Sequence, residues 1–175
     1  PKYYSPRKEN GIYYFLKNDG LQNQAVLYSQ KDLKSEPEVF LDPNQFSQSG
    51  TVALGEISFS KKSKYCAYTV SQSGSDWKTG YVMETGTKKL LGDKIDWIKY
   101  STIAWRGDEG FYYSRYPEPK GNVRLSNQNR FHSVYFHKIG DTQTADKLVF
   151  EDSAHPNRYH FVFVTEDDRY LVLYA

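Results

Sequence analysis

The chain has 175 residues, enough to bury a core and by default a single domain, and its 23 Lys and Arg against 21 Asp and Glu leave a formal charge of +2. No segment carries a basic run and no apolar run approaches the roughly 18 residues of a membrane-spanning helix, so neither a nucleic acid nor a membrane is expected as a partner. With 16 Tyr, 10 Phe and 3 Trp against one Met, the composition favours strands, where aromatic rings pack on a pleated face.

From the N-terminus, Ile12–Leu16 reads as a strand, with a turn at Lys17-Asn18-Asp19-Gly20 where glycine accepts positive φ. Ala25–Tyr28 and Val39–Leu41 follow, the latter stopped at Asp42-Pro43-Asn44 because proline cannot donate to a ladder. Ile57–Phe59, Lys64–Val70, Gly80–Met83, Ser101–Trp105, Phe111–Arg115, Val134–Lys138 and Lys147–Phe150 come next, each bounded by Ser, Gly or Lys turns. The hairpin Tyr159–Val164 and Arg169–Tyr174, around Thr165-Glu166-Asp167-Asp168, closes the chain. No window sustains a 3.6-residue apolar period, so the fold is expected to be all-β. The chain opens at Pro1-Lys2-Tyr3-Tyr4 and closes inside an apparent strand, which reads as a piece of a larger protein.

One pattern recurs. An apolar residue, a polar turn and a strand opener six positions on occur as Phe59/Tyr65, Trp105/Phe111 and Val164/Tyr170, with a looser copy ending at Ile12. Openers at intervals of roughly 50 residues, with about four strands per interval, suit β-propeller blades. A β-sandwich, whose strands also come every 8–12 residues or so, is the alternative. The polar stretch 117–130 reads as a loop of variable length within this scheme.

Catalytic signatures are missing. There is no Gly-x-Ser-x-Gly elbow, no phosphate-cradling glycine motif and no Cys/His zinc pattern; no metal and no cofactor is expected. His132 and His137, like His155 and His160, stand five apart, an odd offset that puts two rings on opposite faces of a strand. They read as surface or loop residues. Glu166, Asp167 and Asp168 are explained by a hairpin turn. The single cysteine, Cys66, sits in an apolar strand and reads as buried and inert.

Several collinear motifs carry a resemblance. They are Gly20-Leu21-Gln22-Asn23-Gln24-x-Val26-Leu27-Tyr28, Val39-Phe40-Leu41-Asp42-Pro43-Asn44, Gly50-Thr51-Val52-Ala53-Leu54 and Ser73-Gly74-Ser75-Asp76-Trp77. Lys99-Tyr100-Ser101-x-x-Ala104-Trp105 and Gly110-Phe111-Tyr112-Tyr113-x-x-Tyr116-Pro117 complete the series. Together they closely resemble the first blades of the propeller of prolyl oligopeptidases. The resemblance implies an all-β propeller fragment of about three four-stranded antiparallel blades plus the first hairpin of a fourth. The blades would fall at about 1–50, 51–96 and 97–155, with 156–175 opening the fourth.

It further implies a parent enzyme that cleaves short peptides after proline, with a Ser–Asp–His triad on an α/β-hydrolase domain that this chain lacks. Alone, the chain is then expected to be inactive. Its partners would be the remaining blades, the α/β-hydrolase domain and a proline-containing peptide substrate. By the same resemblance Tyr100 stands where the family places a Phe lining the pocket for the third substrate residue back from the cut. Tyr there keeps the aromatic wall but adds a hydroxyl that needs a partner if buried. Asp76 matches a family acid near the propeller–peptidase junction, and Tyr159 falls where a family apolar pocket residue lies, in a weak local match. Each has a plain structural reading too: blade packing for Tyr100, an Asx turn for Asp76. Trp77, Trp97 and Trp105 read as packing residues, and Lys99 as a solvated or inter-domain charge. Other readings are a stand-alone module gripping a peptide or partner on an aromatic blade face, and a nicked enzyme whose pieces stay associated.

Overall fold

The computed structural model describes residues 1–118 and 129–175; most of the expected 117–130 loop lies outside the described residues. Two compact units are distinguished, one of residues 1–55 with 70–75 and one of residues 56–69 with 76–175.

In the first unit an antiparallel sheet is built from β1 (Lys2–Tyr3), β2 (Arg7–Glu9), β3 (Ile12–Asn18), β4 (Val26–Gln30) and β5 (Glu38–Leu41). β1 and β2 pair with successive parts of one edge of β3, so they act as a single interrupted strand and the set is a four-stranded blade. Glu9 faces Ile12 across a two-residue turn, Asn10-Gly11, whose φ values of 45° and 87° suit the strand twist. Tyr14, Val26, Leu27 and Phe40 form its core, with the Tyr14 and Phe40 rings edge-on at 5.0 Å. Asp42 ends β5 as expected: its side chain accepts from the Asn44 amide and caps the short 3-10 turn Pro43–Gln45. Gln24 ties the loops together, donating to the Val52 carbonyl at 2.6 Å and accepting from the Leu54 amide at 3.0 Å.

β6 (Val52–Phe59) and β7 (Tyr65–Gln72) contribute residues to both units. With β8 (Lys78–Glu84) and β9 (Leu90–Ile98) they form a second four-stranded meander. The third is β10 (Ala104–Arg106), β11 (Gly110–Arg115), β12 (Ser133–Lys138) and β13 (Lys147–Phe150), and β14 (Phe161–Val164) with β15 (Leu171–Tyr174) is a separate hairpin. The second and third meanders join in one sheet through the pair Arg115–Ile98. This all-β arrangement is three four-stranded antiparallel blades and the first hairpin of a fourth.

The recurring pattern is one turn used repeatedly. Ser60 and Thr165 each donate their backbone N–H to the opener's carbonyl, Tyr65 or Tyr170, at 2.9 Å. Each also accepts the opener's N–H on its hydroxyl, at 3.0 and 3.1 Å. Ser63 and Asp168 hold the same left-handed place in the two turns, at φ 55° and 57°. In the third blade Trp105 faces Phe111 directly.

Packing in the second unit is face to face. Ala67, Val82, Ile95 and Ile98 meet Ile103, Trp105, Phe111 and Tyr113 in one apolar cluster, and Ala104, Val134 and Val162 join the third blade to the last hairpin. Cys66 is fully buried. Gly110 permits β11 and β12 to close, since a Cβ there would stand 2.1 Å from the His137 carbonyl oxygen.

β9 is a strand the sequence does not announce. Gly92-Asp93 and Asp96 look like turn residues, yet Asp93 is 1% exposed in mid-strand. Its carboxylate accepts from the Gly140 amide at 2.7 Å and pairs with His137 Nε2 at 2.9 Å. The partners that make a buried aspartate tolerable come from 44 and 47 residues downstream.

Candidate functional site: an aromatic recess at one strand end

The ends of β9 and β11 and the starts of β8, β12 and β14 lie together, opposite the hairpin turns, because neighbouring strands run antiparallel. The connections there carry Asp76 and Trp77, Lys99 and Tyr100, Tyr116, Phe131 and His132, and Tyr159 and His160. A register shift between β8 and β9, with Trp97 at φ 65°, turns the end of β9 outward, as bulges do. Tyr100 follows at φ 51°.

All three expected site residues lie here. The Tyr100 and Tyr159 rings meet at 4.9 Å between centroids, inclined by 50°, and are 43% and 48% exposed. At that exposure water reaches Tyr100, so its hydroxyl carries no burial penalty. Asp76 joins them through Lys99, whose Nζ is 3.4 Å from Asp76 Oδ2 and 5.3 Å from the Tyr100 ring centroid. The same ammonium lies 5.2 Å from the Trp77 centroid, a cation–π position. Lys99 is only 9% exposed, so of the two expectations for it the solvated charge is corrected: its ammonium is held between two aromatic rings and a carboxylate. Trp77 stands edge-on to Trp97 and Tyr116, while Trp105 belongs to the apolar core.

The histidines overturn the surface half of the reading, although His132, His155 and His160 do lie in connections between strands. His132, His137 and His160 are buried and only His155 is exposed, beside Asp152 at 2.9 Å. The partners of the buried three are not the histidines five residues away but mainly groups 28 to 44 residues distant in sequence. His132 Nε2 donates to the Lys99 carbonyl at 2.8 Å and its Nδ1 accepts the His160 amide at 2.9 Å. The His160 side chain returns a hydrogen bond from Nδ1 to the His132 carbonyl, and the two rings stack at 6.1 Å. Burial pushes the His132 pKa down to about 4, beyond what the Lys99 carbonyl restores, so the imidazole is neutral. Burial also raises the Tyr116 phenol to about 12, and its hydroxyl has no hydrogen-bond partner among the described residues.

His137 lies in a second network, away from the recess. Its Nε2 meets Asp93 at 2.9 Å and its Nδ1 meets Asp146 at 2.7 Å, and Tyr113 donates its hydroxyl to Asp146 at 2.6 Å. Burial alone would lower this histidine's pKa, but the Asp146 and Asp93 hydrogen bonds carry it up to about 9. Both ring nitrogens are occupied and the ring is inaccessible, so it can neither attack a substrate nor take its proton. The aromatic cluster likewise presents the half-exposed Tyr100 and Tyr159 rings, without a nucleophile–base pair among the described residues.

Four-stranded antiparallel blades, with an aromatic cluster where their connections meet at one strand end, define a β-propeller. This chain belongs to the prolyl oligopeptidase family: residues 1–175 match the family's N-terminal β-propeller domain. It is 47% identical over 171 residues to a prolyl endopeptidase of Elizabethkingia meningoseptica, covering 98% of this chain and 24% of that protein. A dual function macrocyclase-peptidase of Galerina marginata is 34% identical over 187 residues, covering 95% of this chain and 26% of the relative. Among solved structures, prolyl oligopeptidase B from Galerina marginata, bound to a 35mer hydrolysis and macrocyclization substrate, superposes with a TM-score of 0.87 at 34% identity. That match covers 99% of this chain and 27% of the neighbour. The chain therefore spans about a quarter of the length of the relatives it matches.

Proposed function

We propose that this chain is the gating and pocket-lining part of a proline-specific serine peptidase, silent by itself and active with an α/β-hydrolase domain that carries the triad. The observation that carries this reading is the meeting of Tyr100 and Tyr159 at 4.9 Å beside a covered Lys99–Asp76 pair, all at one strand end. Tyr100 and Tyr159 wall the pocket for the third substrate residue back from the cut, and Asp76 moderates the Lys99 charge that a peptide carbonyl would meet. Exposed Leu148, Val149 and Phe150 on β13, and Phe163, Tyr170 and Tyr174 on the last hairpin, support a role within a larger assembly rather than a self-sufficient module. A chromogenic Gly-Pro substrate tests the division of labour. The purified chain should give no turnover and the full-length protein should cleave after proline. Turnover by the chain, free of contaminating peptidase, would sink the silent-cap reading, and a full-length protein indifferent to proline would sink the specificity.

A further inference from the structure

Tyr100 and Tyr159 are separated by nearly 60 residues, and neither sits inside a strand, so no ladder fixes the distance between their rings. Tyr100 is also held at φ 51°, a left-handed conformation that is costly for a non-glycine residue and persists only when its surroundings impose it. Something must hold both peptides. The imidazole of His132 touches both. Its Nε2 donates to the carbonyl of the Lys99–Tyr100 peptide at 2.8 Å, the unit whose rotation sets the Tyr100 φ. Its Nδ1 accepts from the amide of the Tyr159–His160 peptide at 2.9 Å. The ring is 1% exposed and packs 4.6 Å from Tyr116 and 6.3 Å from Tyr159.

We propose that His132 is a positioning residue that sets the aperture between Tyr100 and Tyr159, gripping the peptide before one ring and the peptide after the other. The proposal rests on the reading of those rings as pocket walls. The grip requires one tautomer, Nε2 protonated and Nδ1 bare, because a carbonyl can only accept and an amide can only donate. A side-chain amide carries one donor and one acceptor at a similar separation, so Gln can replace the imidazole, whereas Leu fills space and holds neither peptide. His132 itself does not reach the substrate.

The test uses the full-length peptidase with two fluorogenic substrates, a tripeptide ending in proline that reaches the third position and Gly-Pro, which stops short of it. His132→Leu is expected to raise KM for the tripeptide about tenfold with kcat little changed, the mark of lost binding rather than lost chemistry. Gly-Pro kinetics should stay unchanged, and His132→Gln should return the tripeptide KM to within about twofold of the parent. Equal losses on both substrates, or no rescue by Gln, would overturn the proposal. If Tyr100→Ala raises the tripeptide KM while His132→Leu does not, the positioning role alone fails; if neither does, the pocket reading fails with it. Should His132→Leu not fold, 15N shifts of the parent's labelled histidines decide: a protonated His132 Nδ1 at neutral pH is incompatible with the grip, and a bare Nδ1 with protonated Nε2 supports it.

Discussion

His132 and His137 stand five residues apart and are 1% and 0% exposed, yet one is neutral and the other cationic. His137 lies between the carboxylates of Asp93 and Asp146 and is held cationic, its pKa up to about 9. His132 lies between a carbonyl and an amide and is held neutral, its pKa down to about 4. Equal burial penalises the charged form in both; only anionic partners can outweigh that penalty. His137 is thus an ionic fastener between β9, β12 and the segment before β13. His132 is a neutral bracket at the recess. The first concerns stability, the second geometry.

Removing the fastener's cation is the most drastic way to break this contrast. In a His137→Leu variant, Asp93 and Asp146 would face one another without a counter-charge, and Tyr113 would still donate to Asp146. Stranding buried charges in this way costs about 3–5 kcal/mol, and urea unfolding should show it as a large fall in midpoint. A fall no greater than for an ordinary exposed substitution would mean the two carboxylates do not depend on the imidazolium.

Alkaline titration separates the two histidines without a mutation. His137 has a raised folded pKa, so its stabilisation is complete below the unfolded value near 6.5 and is lost as pH rises toward about 9. The groups facing it are Asp93 on β9, Asp146 before β13 and Tyr113 on β11. Burial and the Asp146 hydrogen bond push the Tyr113 phenol well up, so it stays protonated through this range. The stability difference between parent and His137→Gln should shrink with rising pH, by about 1.4 kcal/mol per unit inside the window. A difference that stays flat from pH 6 to 10 would show that the proton is already absent at neutrality.

The acid side should show the mirror image with His132. Its depressed folded pKa means a contribution present above about 6.5 and lost as pH falls toward about 4, since the unfolded chain binds the proton first. Protonating Nδ1 would aim an N–H at the His160 amide, with Tyr116, Tyr159 and the stacked His160 imidazole around the ring and no carboxylate bonded to it among the described residues. His132→Gln, which cannot titrate, should lose less stability than the parent between pH 6.5 and 4.5. The usable window is narrower than on the alkaline side, because Asp93, which burial would raise but its His137 and Gly140 hydrogen bonds hold low, loses its own contribution on further acidification. Parallel acid curves for parent and variant would place the His132 pKa near its ordinary value.

The same contrast shows why some of this was legible in the sequence. Hairpin turns are local: Ser60 to Tyr65 and Thr165 to Tyr170 contain every atom of their own hydrogen-bond pattern, so the repeat could be read directly. Asp42-Pro43-Asn44 likewise ended its strand by local capping. Tyr100, Asp76 and Tyr159 came from the family's motifs, not from any physical signal in the residues. β9 and the buried histidines were illegible for the opposite reason. Asp93 in a strand is plausible only beside His137 and Gly140, and His132 makes sense only with Lys99 and His160, partners 28 to 47 residues away.

The recess rim should be the least sensitive part of this scheme in stability and the most sensitive in binding. Tyr100 is 43% exposed, so Tyr100→Phe removes only a hydroxyl that water can serve, and unfolding should shift by less than about 0.5 kcal/mol. In the full-length protein the same change keeps the aromatic wall against Tyr159, so KM for a tripeptide substrate should stay within about twofold of the parent. A marked rise in KM would show that the hydroxyl itself contacts the peptide, making the recess a polar pocket rather than an apolar one. A marked fall in stability would instead make Tyr100 part of the fastening that His137 represents, and the division between a structural centre and a recognition rim would no longer hold.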